Sequence, residues 1–150
     1  MGTGFAYQDM VAESLRKATH NATYSAPLRQ NTVNYFEERN TNDNTGERMP
    51  WINWDIVPDN DDLEIITYFA GGCCLPGRSQ VFKPSDGYAA IIRYVFDAVS
   101  DLGINACPPL IVGVGLGHNA ENAALLSKKA YLRPLGTSHP HPKGAKLETD

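Results

Sequence analysis

The sequence lacks the features that define several large classes of protein. Its longest apolar stretches, such as Leu110 to Val114, are far shorter than the ~20 apolar residues that cross a bilayer. It has no basic excess either, because 13 basic and 17 acidic side chains leave a net charge of −4, and phosphate backbones are bound by clustered Lys and Arg. The first residues lack the basic-then-apolar order of a signal peptide. We therefore expect a cytoplasmic protein that binds neither nucleic acid nor membrane.

Cysteine is also scarce, and its placement excludes a disulfide framework. The three cysteines are Cys73, Cys74 and Cys107, an odd number with two of them adjacent. Reduced thiols with a role beyond packing are usually metal ligands or nucleophiles. Cys107 precedes two prolines, which hold the chain extended, as in iron–sulfur ligand runs that end in Cys-Pro. This local pattern leaves two interpretations open, a buried structural cysteine and a metal ligand.

The N-terminal half of the sequence predicts a helix, a polar loop and a hairpin. Apolar residues recur at helical spacing from Phe5 to about Tyr24. Residues 28–50 are polar, and their Asn40–Gly46 run predicts a loop held by hydrogen bonds from side chains to the backbone. Residues 51–57 and 63–69 resemble strands on either side of an acidic turn, which predicts an antiparallel hairpin.

The C-terminal half predicts helix, strand and helix, followed by a tail. Ser85 or Asp86 precedes an apolar helical stripe, made of Ala90, Ile91, Tyr94, Val95, Ala98, Val99 and Leu102. We predict a buried strand over Leu110–Leu116 and a helix from Asn119 to about Leu132 with Ala123, Leu126 and Ala130 facing inward. Residues 134–150 show no apolar period and predict a surface arm. With 42% hydrophobic residues in a chain of 150, these elements predict one α/β domain, a mixed sheet with an antiparallel hairpin and flanking helices.

Glycines between the predicted strand and the last helix allow two interpretations. Gly115, Gly117 and Ala120 fit a dinucleotide-binding fingerprint. The acidic residue that would bind the ribose about 20 residues later is missing. Close packing of the strand on the helix is the favoured interpretation.

Two arginines stand where a carboxylate could be bound. Arg29 follows the end of the first helix, and Arg78 lies in the glycine-dense segment 71–79. The planar guanidinium matches a carboxylate through two parallel hydrogen bonds. A solvated or packing role is the alternative for both side chains.

Several motifs in sequence order resemble one known family. They are Ala26-Pro27-Leu28-Arg29, Asn44-Thr45-Gly46, Trp54-Asp55-Ile56-Val57-Pro58, Gly71-Gly72, Leu75-Pro76-Gly77-Arg78-Ser79, Asn105-Ala106-Cys107-Pro108-Pro109, Val112-Gly113-Val114-Gly115 and Ser127-Lys128-Lys129-Ala130. From about Phe5 to Lys143 the chain resembles the class I fumarase family of iron–sulfur hydro-lyases, in its tartrate dehydratase alpha-subunit branch. The resemblance implies that residues 1–150 are part of a catalytic domain of that type.

The resemblance further implies a cofactor, a substrate and a set of site residues. In this family a [4Fe–4S] cluster held by three cysteines leaves one iron open, which acts as a Lewis acid on the hydroxyl of a hydroxy dicarboxylic acid. Arginines orient the two carboxylates, and dehydration of L-tartrate gives oxaloacetate. Motif matching assigns Cys107 as a cluster ligand and assigns substrate contacts to Arg29, Gly72, Arg78 and Ser79. The catalytic acid or base is not assigned.

The chain departs from the family pattern at the cluster. Family alpha chains carry one cluster cysteine earlier and another later, whereas here no cysteine precedes Cys73 and none follows Cys107. We therefore expect a fragment of a hydro-lyase that is inactive alone, with an incomplete or absent cluster and a beta subunit as partner. The alternative is a non-catalytic module that binds a dicarboxylate or serves subunit assembly. Apolar surfaces that would face the rest of the subunit in the family also predict a homo-oligomer.

Overall fold

Helix α1 (Gln8–Ser25) opens the first of two compact units, Met1–Thr67 and Tyr68–Asp150. The structure is a computed structural model, and it describes residues 8–70 and 77–150. After α1 the chain forms a two-stranded antiparallel sheet of β1 (Val33–Asn34) and β2 (Arg39–Asn40). The helix predicted from about residue 5 to 24 is thus confirmed over its described part.

Hydrogen bonds to an asparagine side chain stabilise the hairpin turn between β1 and β2. The side chain of Asn34 accepts hydrogen bonds from the backbone N–H groups of Phe36 (3.1 Å) and Glu37 (3.3 Å). Such short side-chain bonds to the backbone stabilise tight turns. The antiparallel hairpin predicted at residues 51–57 and 63–69 is wrong in position, since the structure assigns neither segment to a β-strand. The alternation of apolar residues there describes an extended chain, and a strand also needs a partner with which to form a ladder.

The second unit is helical. A short 3₁₀ turn (Pro84–Asp86) leads into α2 (Gly87–Leu102), a second 3₁₀ turn (Gly103–Asn105) follows, and α3 (Ala120–Tyr131) and α4 (Pro142–Thr149) complete it. Every residue of the predicted apolar stripe on α2 is half-buried. The tail, predicted as a surface arm, contains α4, which the Arg133–Glu148 ion pair (2.5 Å) joins to the end of α3. The described residues form four helices and one small sheet, so the predicted mixed α/β class is confirmed.

The segment Leu110–Leu116 is extended but is not the buried strand that the sequence predicts. Among the described residues it pairs with no strand, and its larger side chains are between 38% and 60% exposed. Its glycines lie against α3 instead, and the hydroxyl of Ser127 donates a 2.9 Å hydrogen bond to the carbonyl of Gly113. Leu126, predicted to face inward, is 43% exposed. The packing interpretation of these glycines is therefore confirmed, because a Cβ at Gly113, Gly115 or Gly117 would meet the α3 backbone inside 3.0 Å.

Burial in the described residues is sparse. Val11 and Thr23 are the two that are buried, at 8% and 1% exposure. No helix within residues 8–70 and 77–150 is both long and apolar enough to span a membrane.

Candidate functional site

Two backbone hydrogen bonds fix the chain that leads from the end of α1 to Arg29. Where α1 ends, the backbone N–H of Ala26 donates to the carbonyl of Ala22, and that of Leu28 donates to the carbonyl of Thr23, each at 3.0 Å. Pro27 cannot donate and favours an extended chain. Arg29 follows immediately and is exposed. Among the described residues, its guanidinium forms no ion pair or hydrogen bond, so this charge is available to an anion.

A loop over residues 40–46, here called the asparagine loop, holds the backbone beside Arg29. The side-chain nitrogen of Asn44 donates to the carbonyl of Arg29 (3.0 Å), and its oxygen accepts from the N–H of Asn31 (2.8 Å). The side chain of Asn40 donates to the carbonyl of Gln30 (2.9 Å). Each residue of segment 29–31 therefore has a backbone group bound by this loop. The prediction that side chains in the loop bind the backbone is confirmed.

Asp43 organises the interior of the asparagine loop. One of its carboxylate oxygens accepts bonds from the backbone N–H and the hydroxyl of Thr45, both at 2.9 Å. The other lies 3.2 Å from Nδ1 of His20 on α1. The bond from the backbone N–H of Thr45 is the main reason that the pKa of Asp43 lies below its usual value. The loop is thus ordered by an ionised carboxylate.

A shallow cleft lies on α1 next to this loop. Its volume is about 360 Å³, and it is lined by Arg16, Lys17, His20, Asn21 and Thr45. Two of its basic groups already have acidic partners, since Lys17 pairs with Glu13 (2.7 Å) and His20 pairs with Asp43. The cleft does not include Arg29.

In the second unit, the side chain of Arg78 is exposed to solvent and forms an ion pair. Its guanidinium lies 3.0 Å from a carboxylate oxygen of Asp101 on α2. A substrate carboxylate at Arg78 would have to replace Asp101. Ser79, beside it, is exposed. Gly72 lies outside the described residues, as do Cys73 and Cys74.

Tyr94 on α2 lies near Arg78. Its ring packs edge-on against Phe82 with ring centroids 5.5 Å apart. Its hydroxyl oxygen is buried without a hydrogen-bond partner among the described residues. Burial raises the pKa of this hydroxyl, and the nearby charge of Arg78 opposes the rise.

Cys107 lies on the loop that follows α2 and its 3₁₀ turn, and its side chain is exposed. The structure thus favours an accessible thiol over a buried structural cysteine. Within residues 8–70 and 77–150 no three His, Cys, Asp or Glu side chains are grouped as a metal site would require. Arg29 belongs to the first unit, and Arg78, Ser79 and Cys107 belong to the second.

Reasoning from the sequence missed two residues that bind the candidate arginines. Asn44 bonds to the backbone of Arg29, and Asp101 pairs with the guanidinium of Arg78. Asn44 lies within a motif of the family resemblance, but its bonds to residues 29–31 are not visible in a linear pattern. Asp101 is 23 residues from Arg78 on a helix whose polar face carries several charges. No spacing rule singles it out.

Comparison with known proteins gives one consistent result. The family described as "Fumarate hydratase (Fumerase)" matches residues 1–150. The L(+)-tartrate dehydratase subunit alpha of Escherichia coli (strain K12) is 52% identical over 149 residues, which are 99% of this chain and 49% of that protein. The subunit alpha of Shigella boydii serotype 4 matches equally well. A Methanocaldococcus jannaschii protein that bears the same name provisionally is 34% identical over 142 residues, covering 93% of this chain and 50% of its own length. The chain spans about half the length of the curated relatives it matches.

Proposed function

Because this chain belongs to the fumarate hydratase (Fumerase) family, we propose that it is part of a hydro-lyase that removes water from a hydroxy dicarboxylic acid, converting L-tartrate to oxaloacetate. The names of its relatives support tartrate as the substrate. The observation that carries the proposal is Arg29, an exposed guanidinium that forms no ion pair among the described residues and whose backbone is held by the asparagine loop. It offers the planar pair of donors that a substrate carboxylate requires.

The proposal also includes the other residues that motif matching assigns as substrate contacts. Arg78 and Ser79 are proposed substrate contacts in the second unit, where Arg78 is already paired with Asp101. Gly72, which lies outside the described residues, is proposed as a further substrate contact. These assignments come from the family resemblance.

The described residues do not by themselves fit a complete [4Fe–4S] cluster. Three thiolates are needed, and the described part of the chain provides Cys107 alone. An exposed thiol is nevertheless in the condition that a metal ligand requires. We propose that Cys107 is one ligand and that the remaining ligands come from elsewhere in the assembled enzyme. A beta subunit is the proposed partner, since the relatives are named as alpha subunits. The odd number of cysteines, two of them adjacent, supports a cytoplasmic location in which thiols stay reduced.

Binding of tartrate tests the role of Arg29. L-tartrate is expected to raise the melting midpoint of the 150-residue chain, and Arg29→Ala is expected to abolish the rise, because charge-assisted hydrogen bonds contribute about 1.5–3 kcal/mol. This loss corresponds to roughly a tenfold to hundredfold weaker affinity. Arg78→Ala is expected to weaken binding as well. The measurement is a thermal shift over a range of tartrate concentrations.

Arg48→Ala provides the matched control, because Arg48 is an exposed arginine in the same unit as Arg29. Its response to tartrate is expected to equal that of the unmodified chain. No shift in the unmodified chain, or equal shifts in all variants, would contradict a carboxylate site at Arg29.

The exposed apolar surface favours self-association, and we propose that the isolated chain forms a homo-oligomer. Among the described residues, large apolar side chains such as Phe36, Val81 and Leu135 are 88% to 93% exposed, and exposed apolar patches favour association. The extended segment presents Val112, Val114 and Leu116 to solvent, each between 38% and 51% exposed.

Light scattering at micromolar concentration is expected to give at least twice the chain mass. The double substitution Val112→Lys with Val114→Lys is expected to shift the population toward monomer, because burying unpaired lysines is costly. Ser100→Lys, at an exposed polar residue of α2 in the same unit, is the control and is expected to change nothing. A monomeric unmodified chain would reject self-association.

A further inference from the structure

Asn44 is the residue through which the asparagine loop reaches the candidate carboxylate site. Its side chain uses both ends of the amide, with the oxygen accepting from the N–H of Asn31 and the nitrogen donating to the carbonyl of Arg29. The two bonds lie on either side of Gln30 and span the backbone that carries Arg29. An amide is the neutral side chain that can donate and accept in this way.

Asn44 is itself held from the opposite side by α1. Its nitrogen also lies 3.2 Å from the hydroxyl oxygen of Thr23, the most deeply buried described residue. The Thr23 hydroxyl lies within hydrogen-bond distance of the carbonyls of Thr19 (2.8 Å) and Asp43 (3.0 Å). The phenol of Tyr24 donates to the carbonyl of Asn42 (3.2 Å). Helix α1, Asn44 and segment 29–31 therefore form one connected set of hydrogen bonds.

The backbone of Asn44 is in the left-handed region, with φ of 59°. Asparagine tolerates this region better than other residues that have a Cβ. This conformation is part of the geometry in which the side chain of Asn44 bonds to residues 29 and 31. Asn42, two residues earlier, has φ of 66° but no described side-chain hydrogen bond.

We propose that Asn44 is a positioning residue that holds the Arg29 backbone in place before a dicarboxylate arrives, so that the guanidinium binds it without first ordering segment 29–31. This inference rests on the proposed function. Fixing a binding group in advance lowers the entropy lost on binding and so raises affinity. Asn44 acts through Arg29 and needs no contact with the ligand.

The substitution Asn44→Gly tests this proposal, with Asn42→Gly as the matched control. Glycine adopts positive φ freely, so both changes preserve the backbone conformation and introduce no charge. Both are the same substitution in the same loop, and only one removes the bonds to residues 29 and 31. We expect Asn44→Gly to weaken L-tartrate binding at least tenfold, whereas Asn42→Gly retains the affinity of the unmodified chain.

Nuclear magnetic resonance of the full chain separates positioning from a general loss of stability. In the unmodified chain and in Asn42→Gly, tartrate is expected to shift the Nε–H resonance of Arg29. In Asn44→Gly this shift is expected to disappear while the rest of the spectrum stays dispersed. A structural role alone would lower the melting midpoint without changing affinity at temperatures well below it.

A measurement on the unmodified chain covers the case in which Asn44→Gly fails to fold. The N–H of Asn31 is expected to exchange slowly with solvent before tartrate is added, because Asn44 already accepts its bond. Fast exchange that slows only with tartrate would overturn the proposal. Equal tartrate affinity in Asn44→Gly and the unmodified chain would overturn it and leave the proposed function intact. An unmodified chain that does not respond to tartrate would overturn the proposed function, and this inference with it.

Discussion

Replacing Gly115 with alanine is expected to detach the extended segment 110–117 from α3. A Cβ at this position would overlap the carbonyl oxygen of Ala123 and the backbone nitrogen of Ser127. Both belong to the backbone in the interior of α3, which cannot shift without breaking helical hydrogen bonds. Overpacking of this kind typically costs about 1–3 kcal/mol, and occasionally more. Since the described residues include almost no buried core, we expect the loss to remove the cooperative melting of the second unit.

The matched control is Gly77→Ala, where an added Cβ meets nothing within 4 Å. Its melting curve is expected to overlay that of the unmodified chain. Amide exchange gives the local readout, in which α3 loses protection in Gly115→Ala and α1 keeps it. Unchanged protection of α3 in Gly115→Ala would mean that the glycines do not bring the segment and the helix together.

The isolated chain is expected to turn over no tartrate. In the proposed function, catalysis depends on a cluster held by three cysteines, and the described residues provide one thiol, Cys107. The decisive measurement is anaerobic reconstitution with iron and sulfide, followed by a visible spectrum and an assay for oxaloacetate. We expect neither the absorbance shoulder of a cubane nor product above background.

Two controls make this expected negative result informative. The intact L(+)-tartrate dehydratase of Escherichia coli, assayed in the same way, is the positive control for dehydration of tartrate. Cys107→Ser should lower whatever iron the chain retains, because a hydroxyl is a much poorer ligand than a thiolate. A cubane spectrum together with oxaloacetate from the purified chain would show that these 150 residues are sufficient.

Apart from α4, which lies in a tail predicted only as a surface arm, the helices were predicted well by local patterns, because helix formation depends on neighbours three and four residues away. The stripe on α2 and the N-terminus of α3 illustrate this, since the side chain of Asn119 accepts a hydrogen bond from the N–H of Asn122 (2.8 Å). Predictions that required a distant partner failed. Segment 63–69 and segment 110–116 have the composition of strands, but whether such a segment forms a ladder depends on a second segment that its own sequence does not specify.

For the candidate site, too, some features follow from local sequence and others depend on distant partners. The sequence alone determined the family, the helical segments and the residue types able to bind a carboxylate or a metal, because motifs in order and helical periodicity are properties of the linear chain. Only the tertiary structure decided which arginine is available. Asp101 neutralises Arg78 across 23 residues, and Asn44 fixes Arg29 across 15. Both bonds depend on angles and distances set when separate segments pack, and hydrogen bonds are too short and directional to be inferred from sequence separation.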